Sequence, residues 1–268
     1  MRRKITVAGS GALSGVCALL VAERGLADVV LIGAGDEAAG DIAAAAAVCG
    51  AAVDVVASGD WEQAAGSAVV VVDGGAHGLA DLAREIARHV PDAVVVVAGP
   101  GEADACNVLL ATTAFPRRRV LGAGGLVTAA RLRSLVAAEL GLEPGDVGGL
   151  ALGGPGGDAI VMGASVTAGG LPVAALIGAE RLAELGATLR HEPAAGPLAH
   201  AAAVRELVEA VLLDRRRILP CSACCQGEYG LAGEFATVPV RVGAGGISEV
   251  IALDLEDAEA AAMFHSAR

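Results

Sequence analysis

An open, doubly wound α/β sheet followed by an α+β half is the architecture this 268-residue sequence predicts. Three observations carry that prediction. Apolar runs recur at 4–8, 28–32, 68–72 and 93–97, each followed within two residues by a glycine. A run without alternation marks a strand buried on both faces, as in a parallel sheet. Stretches with helical spacing separate the runs, and from about residue 124 that alternation gives way to mixed elements. Hydrophobic residues make up 54% of the chain, yet only Trp61, Phe115, Tyr229, Phe235 and Phe264 are aromatic, so the core is built from Ala, Val, Leu and Ile.

In order, the run at 4–8 ends at Gly9, and 12–23 carry a helical apolar pattern. The run Asp28-Val29-Val30-Leu31-Ile32 then ends at Gly33, which completes a β-turn-α-β unit. Leu79, Leu82, Ala83, Ile86, Ala87 and Val90 share one helical face between the third and fourth runs. In the second half, a helix is expected over 129–140, a strand over 147–152 and a strand-like stretch over 160–166. A helix over 175–185 and a loop at 191–199 follow. Val204, Leu207, Val208, Val211 and Leu212 mark another helix. A hairpin spans 218–242 with Gly227 and Gly230 at its turn, and Asp254 with Asp257 opens a last helix as a capping pair. Two domains result, 1–123 and 124–268.

The formal net charge is −12. Phosphate backbones are bound by clustered Lys and Arg, and the only clusters, Arg117–Arg119 and Arg215–Arg217, sit in acidic surroundings. Nucleic acid is therefore not an expected partner. The arginine clusters belong on a solvated face or against acidic residues of a neighbouring subunit. The six cysteines show no framework spacing, so they read as reduced thiols of a cytoplasmic protein. Cys221-x-x-Cys224-Cys225 lacks a second ligand pair, and a strand with inward-packing cysteines is preferred to a metal site. Met1-Arg2-Arg3-Lys4 before apolar residues imitates a signal peptide, but Gly9, Ser10 and Gly11 interrupt the run. No uninterrupted 18-residue apolar stretch exists, so no membrane span is expected.

Gly9-Ser10-Gly11-Ala12-Leu13-Ser14 follows a strand and opens a helix. In a dinucleotide fold the first glycine makes the turn, the second lets a pyrophosphate approach the backbone, and the third allows helix–strand packing. Ser14 takes the third place. Gly9, Ser10, Gly11, Leu13 and Ser14 are the candidate cofactor-binding residues, with a plain strand–helix turn as the alternative.

With Lys4–Gly11, Leu26–Leu31, Phe115-Pro116 through Val120-Leu121-Gly122, Arg131-Leu132-Arg133, Leu152-Gly153-Gly154 and, above all, Leu219-Pro220-Cys221-Ser222-Ala223 with Gly227-Glu228-Tyr229-Gly230, the chain resembles the malate/lactate dehydrogenase family over nearly its whole length. The likeness is strongest to bacterial malate dehydrogenases of lactate-dehydrogenase type. The resemblance implies a Rossmann domain, an α+β catalytic domain, NAD as cofactor and a homo-oligomer (dimer or tetramer).

The same resemblance exposes what is missing. Reducing a 2-keto acid takes a proton donor, a carboxylate that orients it, and arginines that grip the substrate carboxylate. The family's donor histidine falls on Pro155 and its orienting aspartate on Thr128, neither of which can take those roles. Arg131 survives at a substrate-carboxylate position. The mobile lid and its arginines are replaced by Asp73-Gly74-Gly75-Ala76-His77-Gly78, and Gly99 replaces an asparagine before Pro100. Gly33 stands where a ribose-binding carboxylate is expected, with Asp36 and Glu37 as the nearest substitutes, so NAD binding is weakened. A helix within about 188–203 is shortened.

Three functions remain in view. One is a catalytically silent homologue with a structural, assembly or regulatory role and a possible protein partner. Another is an NAD-dependent oxidoreductase with relocated groups, for which His77, Asp73 and Asp158 are the candidates beside Arg131. The bland alternative is a surface-loop histidine and an ordinary turn carboxylate. The third is a nucleotide-binding sensor without turnover.

Overall fold

The structure, a computed structural model, describes residues 3–153, 159–189, 191 and 194–255. These form two compact units. The first holds the described residues through Ala123 together with Ala195–Arg217 and Arg241–Glu249; the second holds Gly124–Ala194, Ile218–Val240 and the described residues from Val250 on.

In the first unit β1 (Lys4–Ala8), α1 (Ala12–Ala22), β2 (Asp28–Ile32), α2 (Asp36–Val48), β3 (Val55–Ser58), β4 (Val69–Asp73), α3 (Leu79–His89), β5 (Val94–Ala98), α4 (Glu102–Thr112) and β6 (Val120–Gly122) alternate along the chain. The strands order as β3-β2-β1-β4-β5-β6, all parallel. The continuous apolar runs are indeed buried strands: β5 is buried from Val94 to Ala98. Chain direction across the sheet reverses between β1 and β4, so the strand ends at Ala8 and Asp73 flank the crevice where such sheets bind ligands.

The second half begins with α5 (Gly124–Leu140), which starts five residues before the expected helix. The expected strand over 147–152 is two short ones, β7 (Val147–Gly148) and β8 (Ala151–Gly153), and the stretch at 160–166 is β9 (Ala159–Val161) followed by a 3-10 turn at Gly163–Ser165. After β10 (Thr167–Ala168) and β11 (Leu171–Pro172), the expected single helix is split into α6 (Val173–Ile177) and α7 (Ala179–Leu189). The break is Gly178, whose φ of 86° leaves helical space. Leu132 and Val136 of α5, Leu182 and Leu185 of α7, and Val147, Val166 and Val173 make this unit's core. The Arg181 guanidinium of α7 bonds Glu139 through two N–H groups at 2.9 Å and holds that carboxyl below its ordinary range.

The helix marked by Val204 and Leu207 is α8 (Pro197–Leu212), which begins inside the expected loop with proline at its first position. Ala201, Val204, Leu207, Val208 and Val211 are buried, and α8 packs on α1, β4 and β5. For that reason 195–217 returns to the first unit, whereas the sequence reading grouped it with 124–268. Arg241–Glu249, which holds the end of β13 and most of β14 (Gly246–Val250), belongs there too. The hairpin is β12 (Arg217–Gln226) and β13 (Ala232–Gly243). Tyr229 in its turn donates to Ile251 O at 2.7 Å and accepts from Leu253 N at 3.2 Å.

Cys221, Cys224 and Cys225 on β12 are buried, as an inward-packing strand requires. No metal-ligating cluster occurs among the described residues. Nor is any described helix long and apolar enough to cross a membrane. The second arginine cluster finds its acids in its own chain: Arg215 pairs with Glu209, Arg216 with Asp214 and Arg217 with Glu206. Arg119 of the first donates to Pro91 O at 2.9 Å and reaches Asp92. The capping pair expected to open a last helix falls partly outside the described residues, at Asp257.

Candidate functional site

The crevice of the first unit is built by the turns that follow β1, β4 and β5. After β1 the chain leaves at Gly9 with φ 139°, and Gly9 N donates to Ile32 O at 2.9 Å. A Cβ on Gly9 would lie 2.5 Å from Ser14 Oγ, so the buried serine in the third-glycine place packs directly against the first. Gly11 caps α1 with extended backbone and no side-chain hydrogen bond. Ser10 and Gly11 are exposed, while Leu13 and Ser14 are buried beneath them. The backbone half of a phosphate-binding turn is therefore intact, with open N–H groups at the helix start.

The side-chain half differs. Asp73 ends β4, and its Oδ1 accepts from Gly75 N at 2.9 Å. That bond turns the carboxylate toward the glycines. A Cβ on Gly11 would sit 3.9 Å from Asp73 Oδ2, and one on Gly99 only 3.2 Å from Oδ1. The charge is felt below the turn: burial first, then Asp73, push the Cys17 thiol up to about 12. At β2, Gly33 has φ 91°, a conformation in which an aspartate would be strained. Asp36 and Glu37 lie exposed in the first turn of α2, where the helix dipole favours acids. Two features of this crevice bear on a dinucleotide. The Asp73 carboxylate, held by Gly75 N, faces the glycine turn, and Gly33 has a backbone conformation that disfavours any side chain.

Only Gly74–Gly78 connect β4 to α3. Gly74 N donates to Ala98 O at 2.8 Å, and a Cβ on Gly74 would meet Pro100 O at 2.8 Å. The connection lies flat on the turn after β5. His77, in it, is exposed, whereas Asp73 at the strand end is half-buried and bonds Gly75 N.

In the second unit Thr128 and Arg131 stand one turn apart on α5, both half-buried. Thr128 Oγ1 donates back to Gly124 O at 3.4 Å along its own helix. The start of α5 is seated tightly against the hairpin strands, since a Cβ on Gly125 would approach Pro220 O to 2.6 Å and also strike the Thr237 methyl. Pro155 and Asp158 lie outside the described residues. Sequence reasoning placed Asp73 at the crevice, with His77, as a candidate for relocated acid–base work rather than as a group facing the glycine turn. The signal for its actual setting was the carboxylate closing the run Val69–Val72, read together with a strand order that puts β4 beside β1.

The lactate/malate dehydrogenase α/β C-terminal domain matches residues 128–268. A malate dehydrogenase of Thermomicrobium roseum is 35% identical over 295 residues, covering 100% of this chain and 96% of that protein. The chain belongs to the lactate/malate dehydrogenase family. The malate dehydrogenase of Bacillus subtilis is 32% identical, covering 97% of this chain and 93% of its own. Among solved structures, a Salinibacter ruber malate dehydrogenase superposes with a TM-score of 0.91 at 31% identity, over 98% of this chain and 94% of that one. A Cryptosporidium parvum lactate dehydrogenase gives 0.92 at 29% identity, over 100% and 96%. The Thermomicrobium match extends over 295 positions against 268 here, so that relative carries residues with no counterpart in this lactate/malate dehydrogenase homologue.

Proposed function

We propose that this member of the lactate/malate dehydrogenase family does not reduce 2-keto acids, and that it serves a structural, assembly or regulatory role as a homo-oligomer or with a protein partner. The observation that carries this reading is Thr128. Where the family resemblance calls for a carboxylate that orients a protonated donor, a hydroxyl turned onto Gly124 O stands on α5. A neutral hydroxyl supplies no charge to stabilise an imidazolium. The five-residue connection Gly74–Gly78, too short for a closing lid, supports the same reading.

The relatives named malate dehydrogenase favour a second reading, an NAD-dependent 2-hydroxy acid dehydrogenase with relocated acid–base groups. One assay separates the two. Purified protein is given NADH with oxaloacetate or with pyruvate, beside an active relative as control. The first reading expects no NADH oxidation above the enzyme-free rate. Turnover that disappears in Arg131→Ala establishes the second. The assembly role expects light scattering to give a multiple of 26.2 kDa; a monomer mass at every concentration removes the homo-oligomer.

A further inference from the structure

We propose that Asp73 is the residue that sets ligand specificity in the crevice, and that its carboxylate excludes dinucleotides and other ligands that place a phosphate on the turn Gly9–Gly11. The proposal deepens the reading above, on which it rests, by naming a side chain that opposes binding of the cofactor.

The glycine turn would otherwise accept a phosphate. Gly9 and Gly11 present bare backbone, and α1 begins without a side-chain cap. Open N–H groups at a helix start attract anions. Into that space the fold already delivers an anion of its own. Asp73 closes β4, the strand that pairs with β1 through Ala8↔Val72, so its carboxylate emerges directly across from the turn. The Gly75 N–H fixes its orientation at 2.9 Å, and the small faces of Gly11 and Gly99 leave it room. A pyrophosphate seated on Gly11 would bring two further negative charges against it. The chain as a whole is acidic, at net charge −12, so its overall field also opposes an anionic ligand. Cations and neutral ligands meet no such barrier.

The side chain's shape can be separated from its charge. Asp73→Asn keeps the volume and leaves an amide oxygen to accept from Gly75 N. Calorimetric titration of NADH and of ADP into both proteins, at low and at moderate salt, reads the difference. The expected result is NADH and ADP binding at least about tenfold tighter in Asp73→Asn, equivalent to about 1.4 kcal/mol. The gap should widen at low ionic strength, as repulsion between charges requires and a purely steric role does not. An unchanged thermal midpoint shows the variant folded. Equal affinities in the two proteins, or no binding by either, overturn the proposal. NADH turnover by the unaltered protein instead overturns the functional reading, and a silent protein that binds NADH tightly sinks only the role of Asp73.

Discussion

Gly125→Ala tests whether α5, which carries Thr128 and Arg131, is held by close backbone approach. Taken as helix propensity alone, the change is favourable, by at most the roughly 1 kcal/mol by which alanine exceeds glycine in a helix interior. The geometry reverses the sign. The new Cβ would lie 2.6 Å from Pro220 O and 3.0 Å from Pro220 C, and would also overlap the Thr237 methyl. Two of these contacts are backbone atoms of β12, so no side-chain rotation can relieve them. The helix start must move off the sheet. Overpacking of this kind costs typically about 1–3 kcal/mol, more where backbone must shift. With the propensity gain set against the upper part of that range, the net loss is about 2 kcal/mol. For a chain of this size that lowers the melting midpoint by about 4–8 °C. Gly40→Ala in α2 is the matched control. Gly40 lies mid-helix and exposed, and a Cβ there meets nothing within 4 Å. It should gain up to about 1 kcal/mol and raise the midpoint by about 2–4 °C. Scanning calorimetry on the three proteins decides the matter. A Gly125→Ala midpoint at or above that of the parent would refute the packing argument.

Two further outcomes follow from burial and hydrogen bonding. A thiol reagent at neutral pH should modify one cysteine per folded chain, Cys49, because the other five are buried and the Cys17 thiol is pushed up to about 12; a second fast thiol that persists in Cys49→Ser would contradict this. Tyr229→Phe removes the hydroxyl that bonds both Ile251 O and Leu253 N, and should cost about 1–3 kcal/mol, read as a lower urea midpoint; a midpoint unchanged from the parent would show that these bonds do not hold the segment after β14.

Much of the first unit was legible because its strands are buried on both faces. Val69–Val72 and Val94–Val97 admit no polar residue, so composition alone marks them. Helix α2, in contrast, is nearly all alanine, glycine and acid, and its periodicity is too faint to announce its inward face of Ala39, Ile42 and Ala46. The second half was read less sharply. Its strands between α5 and α6 are two or three residues long, too short for a period, and a single glycine at 178 divides what looks like one helix.

At the site, the identity of each lost group was already written in the chain. A threonine at 128, a glycine at 33 and a five-residue link after β4 are local facts, and no folding is needed to see that they lack the charge or the length for their roles. What those facts could not decide was where the remaining groups face. That Asp73 faces the turn at Gly11 depends on β4 lying beside β1 and on a hydrogen bond from Gly75. Whether 195–217 belongs with the second domain or the first depends on which apolar surface α8 covers. Residue chemistry is local and can be read in one dimension. The pairing of strands and the burial of a helix face are set by contacts between distant parts of the chain, and only the tertiary structure supplies them.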